Sequence, residues 1–162
     1  AEGACMMTDT TVEFKILGEN HDSKLNFTLA SLAHDCMEAI GAPKFTEEEK
    51  AYAREVAKAI NLPGVVGELD ESILPVDGTI KKDNGSSDVA DVSQIVPVVN
   101  INTACYGRKT PNHTWAVTVQ ADKPAAHRGM IFAAKTLALM GARLATEPEL
   151  LAAVRAEFEK AE

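Results

Sequence analysis

Histidines and closely spaced carboxylates are the residues of this chain best suited to chemistry. His113 stands in TPNHTWAVTVQ, Thr110 to Gln120, between a proline turn and a stretch that alternates apolar with polar residues. A side chain placed just ahead of a regular element projects toward the loops where sites assemble. Neutral imidazole there would suit zinc, manganese or cobalt; the other reading is an ordinary loop histidine. His127 likewise precedes the body of a helix, where the helix dipole favours contact with an anion, unless its role is structural. His21, in the polar stretch GENHDSK, and His34, beside Asp35, read as surface residues. Asp88 and Asp91, in SSDVADVS, are spaced to share one face of a helical turn capped by Ser86 or Ser87. They serve a site only if a histidine comes near in space; otherwise Asp88 caps a short turn. Ser93 lacks a nucleophile motif, and no glycine-rich phosphate loop is present.

These residues need elements to position them. Thr11 to Leu17 alternates Val12, Phe14 and Ile16 with Glu13 and Lys15, which predicts a strand with one wet face. Ile95 to Asn102 predicts a buried strand, with Pro97 pointing to an edge or bulge, and Trp115 to Gln120 a third. Leu29, Leu32, Ala33, Cys36, Met37 and Ile40 form a helical stripe opened by Asn26 or Thr28 and closed by Gly41 and Pro43. Thr46 and Glu49 make a capping box for a helix over Glu47 to Ile60, and Thr146 and Glu149 a second for a last helix ending near Lys160. Asp122 and Pro124 introduce a long apolar helix through Leu144. Between Asn61 and Ser93 glycines and prolines dissolve the pattern, with DNGSSD composed as a tight loop. Intermingled strands and helices place the chain in the α/β class.

Composition narrows the function. The 162 residues are 46% hydrophobic and 25% charged, as in a globular protein. A net charge of −8 argues against nucleic acid and anionic membranes as partners. No apolar run approaches the ~20 residues a membrane helix needs. Three scattered cysteines, Cys5, Cys36 and Cys105, and the lack of a signal-peptide pattern point to reduced thiols in the cytoplasm. The chain starts at Ala1 rather than methionine, so the expectation is a processed product or a piece of something longer. The helix Ala126 to Leu144, apolar nearly all round, asks for more cover than the remaining elements supply.

The ordered set GSSDVADVS, then C-Y-G-x-x-T-P-N-H-T-W, then A-A-H-R-G-M-x-x-A-A-K-T resembles the C-terminal part of the aminobenzoyl-glutamate hydrolase-like amidohydrolases, in the zinc aminoacylase/carboxypeptidase family. AEGACMMTDTTVEF, KLNFTL and TEPELLAAVRAEF resemble it too, so the likeness covers nearly the whole chain and is weakest over Asn61 to Asn84. The resemblance implies part of a three-layer α/β zinc-peptidase-like catalytic domain, with residues 1–22 the end of an inserted lid or dimerisation domain and residues 23–162 the C-terminal half of the catalytic domain. It implies a two-metal site of zinc or manganese in the complete enzyme, with His113 as its last ligand. Asp88 and Asp91 would lie behind the ligands or face substrate, His127 near the pocket, and Asn26 where lid and catalytic domain join, unless it is a simple cap.

The departure from the family is that its remaining ligands and glutamate base lie on H-x-D and E-E motifs of the N-terminal half; no H-x-D occurs here, and adjacent glutamates occur only at Glu47 to Glu49, where they open the capping-box helix. A catalytic zinc needs about three protein ligands besides water. The implied protein is thus the C-terminal part of a metal-dependent amidohydrolase that cleaves an N-acyl or N-aroyl amino acid. It would be inactive until joined by its N-terminal half, and would form a homo-oligomer when whole. A non-catalytic binding or assembly module of the same descent is the alternative, and a self-contained α/β domain without a site is a third.

Overall fold

The apolar stripe from Leu29 to Cys36 becomes the buried face of a helix, and that helix organises the chain. The computed structural model describes residues 1–80 and 85–160. Its helices are α1 (Glu2–Thr8), α2 (Phe27–Ile40), α3 (Glu47–Ile60), α4 (Val89–Val92), α5 (Trp115–Ala121), α6 (Pro124–Thr146) and α7 (Pro148–Lys160). Leu29, Leu32, Ala33 and Cys36 of α2 pack with Met140 of α6 and Val154 of α7 to form the main core. A smaller cluster joins Phe45, Ala53 of α3, Leu69 and Ala125 of α6.

Among the described residues there is no β-strand, and this overturns the α/β expectation. Each expected strand fails for its own reason. Over Thr11 to Leu17 every residue is exposed, Phe14 at 71% and Leu17 at 88%, so the alternation faces neither a core nor a neighbouring strand. At Ile95 to Asn102 the alternation is real, since Val99 and Ile101 pack on the main core while Asn100 and Asn102 are exposed. No second strand lies beside them, however, and a ladder needs two. Trp115 to Gln120 is helical because its buried residues are Ala116 and Gln120, one turn apart, rather than the alternating Trp115, Val117 and Val119. Of the tight loop expected at DNGSSD, Asp83 and Asn84 lie outside the described residues.

The helix signals fared better. Thr46 and Glu49 form the capping box of α3, and Gly41 ends α2. Thr146 differs from expectation: it belongs to α6 and its hydroxyl donates to the Ala142 carbonyl, so the break before α7 falls at Glu147, held by Arg143. The exposed side of α6 carries Met130, Ile131 and Leu137, each about half exposed. No described helix is long and apolar enough to cross a membrane.

The first three amides of α2 are all satisfied from side chains. Leu29 N–H donates to Asn26 Oδ1 at 2.8 Å, while Phe27 and Thr28 N–H donate to the two carboxylate oxygens of Glu157 on α7, each at 2.7 Å. A carboxylate at a helix N-terminus is favoured by both the open amides and the dipole. Burial raises the Glu157 pKa, but the bonds from Thr28 and Phe27 outweigh it and hold the carboxyl below its ordinary value of 4.5. A depressed folded pKa means that this stabilisation is present above about pH 4.5 and is lost as pH falls through the folded value. Denaturant unfolding of wild type and Glu157→Gln should therefore differ most near neutrality and converge in acid; a gap that is constant with pH would show that the carboxylate charge is not what holds the cap.

Candidate functional site

His113 sits on the loop between Cys105 and α5, and that loop is braced at several points. Gly107 N–H donates to the buried Gln120 Oε1 at 2.9 Å, and Gln120 Nε2 donates back to Ala116 O within α5. Thr110 donates through both N–H and hydroxyl to Gly107 O. The Tyr106 hydroxyl donates to Asn112 Oδ1 at 2.9 Å, closing the loop beside the histidine. Arg108 N–H donates to Glu68 O at 2.7 Å, which ties the loop to the segment after α3.

Within this frame two non-glycine residues adopt left-handed backbone, Lys109 at φ 63° and His113 at φ 59°. For a residue with a side chain that conformation costs roughly 1–2 kcal/mol, and such strain gathers at functional positions. The His113 ring is exposed and makes no hydrogen bond to the described residues. It is thus an unencumbered imidazole on a fixed backbone.

The other expected site residues are dispersed. Asn26 is buried, and both ends of its amide are engaged: Oδ1 caps α2 and Nδ2 donates to Val154 O at 2.9 Å. It acts as a cap and a tie to α7. Asp88 is exposed and makes no side-chain cap; Ser87 Oγ instead accepts from Val89 N–H at the start of α4. Asp91 turns to His21, accepting from its backbone N–H at 3.0 Å and pairing with its Nδ1 at 2.7 Å. The backbone N–H of His21, followed by its ring, holds the Asp91 carboxyl below its usual range. Together with Lys24 N–H on Ser93 Oγ and Gln94 Nε2 on Asp22 O, this contact fastens the otherwise exposed N-terminal arm to α4. Sequence reading set His21 aside as a surface residue. No local signal could have paired it with a residue 70 positions away.

His127 lies in the first turns of α6 and lines an open groove with Lys44, Arg128 and Lys135. Arg128 Nε donates to Glu49 Oε1 at 3.0 Å, and Lys44 Nζ lies 3.4 Å from Glu71. Glu71 accepts from Phe45 N–H and pairs with Lys50 and Lys44, which lower its pKa to about 2. Sequence reading missed this cluster: His127, Arg128 and Lys135 share α6, but Lys44 joins them from the loop after α2.

Among the described residues no three histidine, cysteine or acidic side chains converge as a metal centre. The donors described here therefore do not amount to a metal site by themselves, and His113 stands as one candidate ligand. No family model and no solved structure matches the chain. A curated relative does: one of the subunits of p-aminobenzoyl-glutamate hydrolase from Escherichia coli is 29% identical over 183 residues, covering 99% of this chain. The chain spans 38% of the length of that relative. Over nearly its entire length, then, it is similar to part of an aminobenzoyl-glutamate hydrolase, as the ordered motifs around Asp88, His113 and His127 lead one to expect.

Proposed function

We propose that this chain is the C-terminal part of a metal-dependent amidohydrolase that cleaves the amide bond of an N-acyl or N-aroyl amino acid of the aminobenzoyl-glutamate kind. The observation that carries the reading is the similarity along 99% of the chain to a hydrolase component whose name states that substrate. In this reading His113 gives one imidazole to a divalent zinc or manganese site, and the remaining ligands come from the N-terminal half of the catalytic domain, on this protein or a partner chain. The half-exposed Met130, Ile131 and Leu137 of α6 support such a partner, since it would cover apolar surface that lies open here. Asp88 and the groove residue His127 are available to substrate, whereas Asp91 serves through its contact with His21.

The test is hydrolysis of p-aminobenzoyl-glutamate by this chain combined with the N-terminal half. Glutamate release is expected, with loss on chelation and recovery on adding zinc or manganese. Absence of turnover in the metal-loaded combination would instead favour the non-catalytic binding module.

A further inference from the structure

Gln120 is the polar side chain that α5 buries, at 4% exposure, one turn from the fully buried Ala116. An apolar side chain of the same length would fill that space, and burying an amide is costly unless its ends are bonded. Both ends are: Nε2 donates to Ala116 O at 2.8 Å within the helix, and Oε1 accepts from Gly107 N–H at 2.9 Å. What the amide adds over an apolar residue is therefore the bond to Gly107. The carbonyl of the same glycine is engaged as well, accepting from the Thr110 N–H at 3.1 Å and the Thr110 hydroxyl at 2.6 Å. At its other end the loop enters α5 through Thr114, whose hydroxyl donates to Pro111 O at 2.7 Å. Both ends of the loop are thus referenced to one helix. The run from Gly107 to Thr114 could reach roughly 23 Å if extended, and it is folded back along about 9 Å of α5. His113, at φ 59°, is the last residue of that run before the helix cap.

We propose that Gln120 is a positioning residue for His113: its amide ties the start of the loop to the helix that ends it, and so fixes where α5 presents the imidazole. Left-handed backbone on a histidine persists only where the surroundings over-determine it, and this clamp supplies one of the constraints. Without the amide, the Gly107 N–H loses its acceptor in a buried place. Thr110 then closes a turn that is no longer anchored to α5. The helix itself is held from outside the loop, since the Tyr52 hydroxyl of α3 donates to Val119 O at 2.9 Å. Loss of the clamp would therefore move the loop rather than the helix. The effect of Gln120 on turnover rests on the hydrolase reading; its effect on the loop does not.

The experiment follows hydrogen exchange at the Gly107 amide and the backbone carbon shifts of His113 by NMR, in wild type, Gln120→Met, Gln120→Glu and Thr136→Val. Methionine keeps the length of the side chain and removes the amide. Thr136→Val is the control, because Thr136 is buried in α6 and its hydroxyl donates to Phe132 O of the same helix. Gln120→Met is expected to speed exchange at Gly107 at least about tenfold and to move the His113 shifts away from left-handed values. Thr136→Val should lower the melting temperature and leave both signals in place. A neutral glutamic acid has a donor and an acceptor, as glutamine has, whereas its ionised form has no donor for Ala116 O. Nearby charges are paired among themselves, Asp122 with Lys123 and Arg108 with Asp70, so burial is what raises the pKa of the introduced carboxyl. Gln120→Glu should match wild type while that carboxyl is neutral and resemble Gln120→Met once it ionises. A general loss of stability gives no such reversal. Combined with the N-terminal half, Gln120→Met should lose at least about tenfold in kcat/KM, and Thr136→Val less than about twofold. Unchanged His113 shifts in Gln120→Met, an equal disturbance of the loop by Thr136→Val, or a Gln120→Glu variant without the reversal would each overturn the proposal. A wild type that turns nothing over would remove the hydrolase reading alone, since the loop signals decide the positioning role without it.

Discussion

If the proposed hydrolase function holds, His113→Ala should lower kcat/KM for aminobenzoyl-glutamate by at least about 100-fold in the protein combined with its N-terminal half, since disturbing even the residues behind a metal ligand costs 10–100-fold. Metal content, measured directly, should fall with it. The backbone complicates a simple reading of this variant, because His113 has φ 59° and alanine dislikes that conformation as histidine does. His113→Gly separates the two causes. Glycine adopts the left-handed region freely, so the loop braced by Tyr106 and Asn112 keeps its shape while the imidazole is gone. If the ring is the working group, both variants lose activity and metal to a similar extent. If only the alanine variant suffers, the loss belongs to the backbone and the ligand role is refuted. His34→Ala is the control: His34 lies on α2 beside Asp35 and Glu38, away from the loop, and its replacement should leave turnover unchanged.

Which parts of this molecule could be read from the sequence follows from how local their causes are. The capping box of α3 and the glycine stop of α2 lie within a few residues of what they control and were legible, while the cap of α2 was narrowed to Asn26 or Thr28, of which Asn26 takes it. The strands were not, because alternation records only which side chains face a surface. At Val99 and Ile101 that surface is a layer of helices. At Trp115 to Gln120 the deciding fact is that Ala116 and Gln120 fill one buried turn, with the Gln120 amide recruited by Gly107. Of the site, His113 was singled out by its place in the motif, but its left-handed backbone was hidden: asparagine and glycine announce such positions more often than histidine does. The pairing of His21 with Asp91, and the arrival of Lys44 beside the basic residues of α6, arise from tertiary placement, which one sequence does not encode in any short pattern.

Gly67→Ala is expected to destabilise the protein by about 2–5 kcal/mol, from two separable causes. Gly67 has φ 70°, where a side chain costs roughly 1–2 kcal/mol. It is also buried against α3: an added methyl would press on the Ala53 carbonyl oxygen and stand 2.6 Å from the Ala53 carbonyl carbon and 2.7 Å from Arg54 Cα. These are helix backbone atoms that cannot swing aside, so overpacking adds about 1–3 kcal/mol. For a chain of this size the sum corresponds to a fall in Tm of roughly 5–20 °C. Gly78→Ala isolates the first cause, since Gly78 has φ 74° with nothing near its missing Cβ, and it should cost only about 1–2 kcal/mol. The clash reaches the candidate site as well. A Cβ on Gly107 would lie 2.9 Å from Gly67 Cα, and Arg108 N–H bonds to Glu68 O, so displacing Gly67 displaces the loop that presents His113. Faster hydrogen exchange at the Arg108 amide of Gly67→Ala, beyond that in Gly78→Ala, is the corresponding local signature. Equal unfolding midpoints for the two variants would mean that α3 yields to the methyl, and that the close packing of Gly67 is not what holds the His113 loop in place.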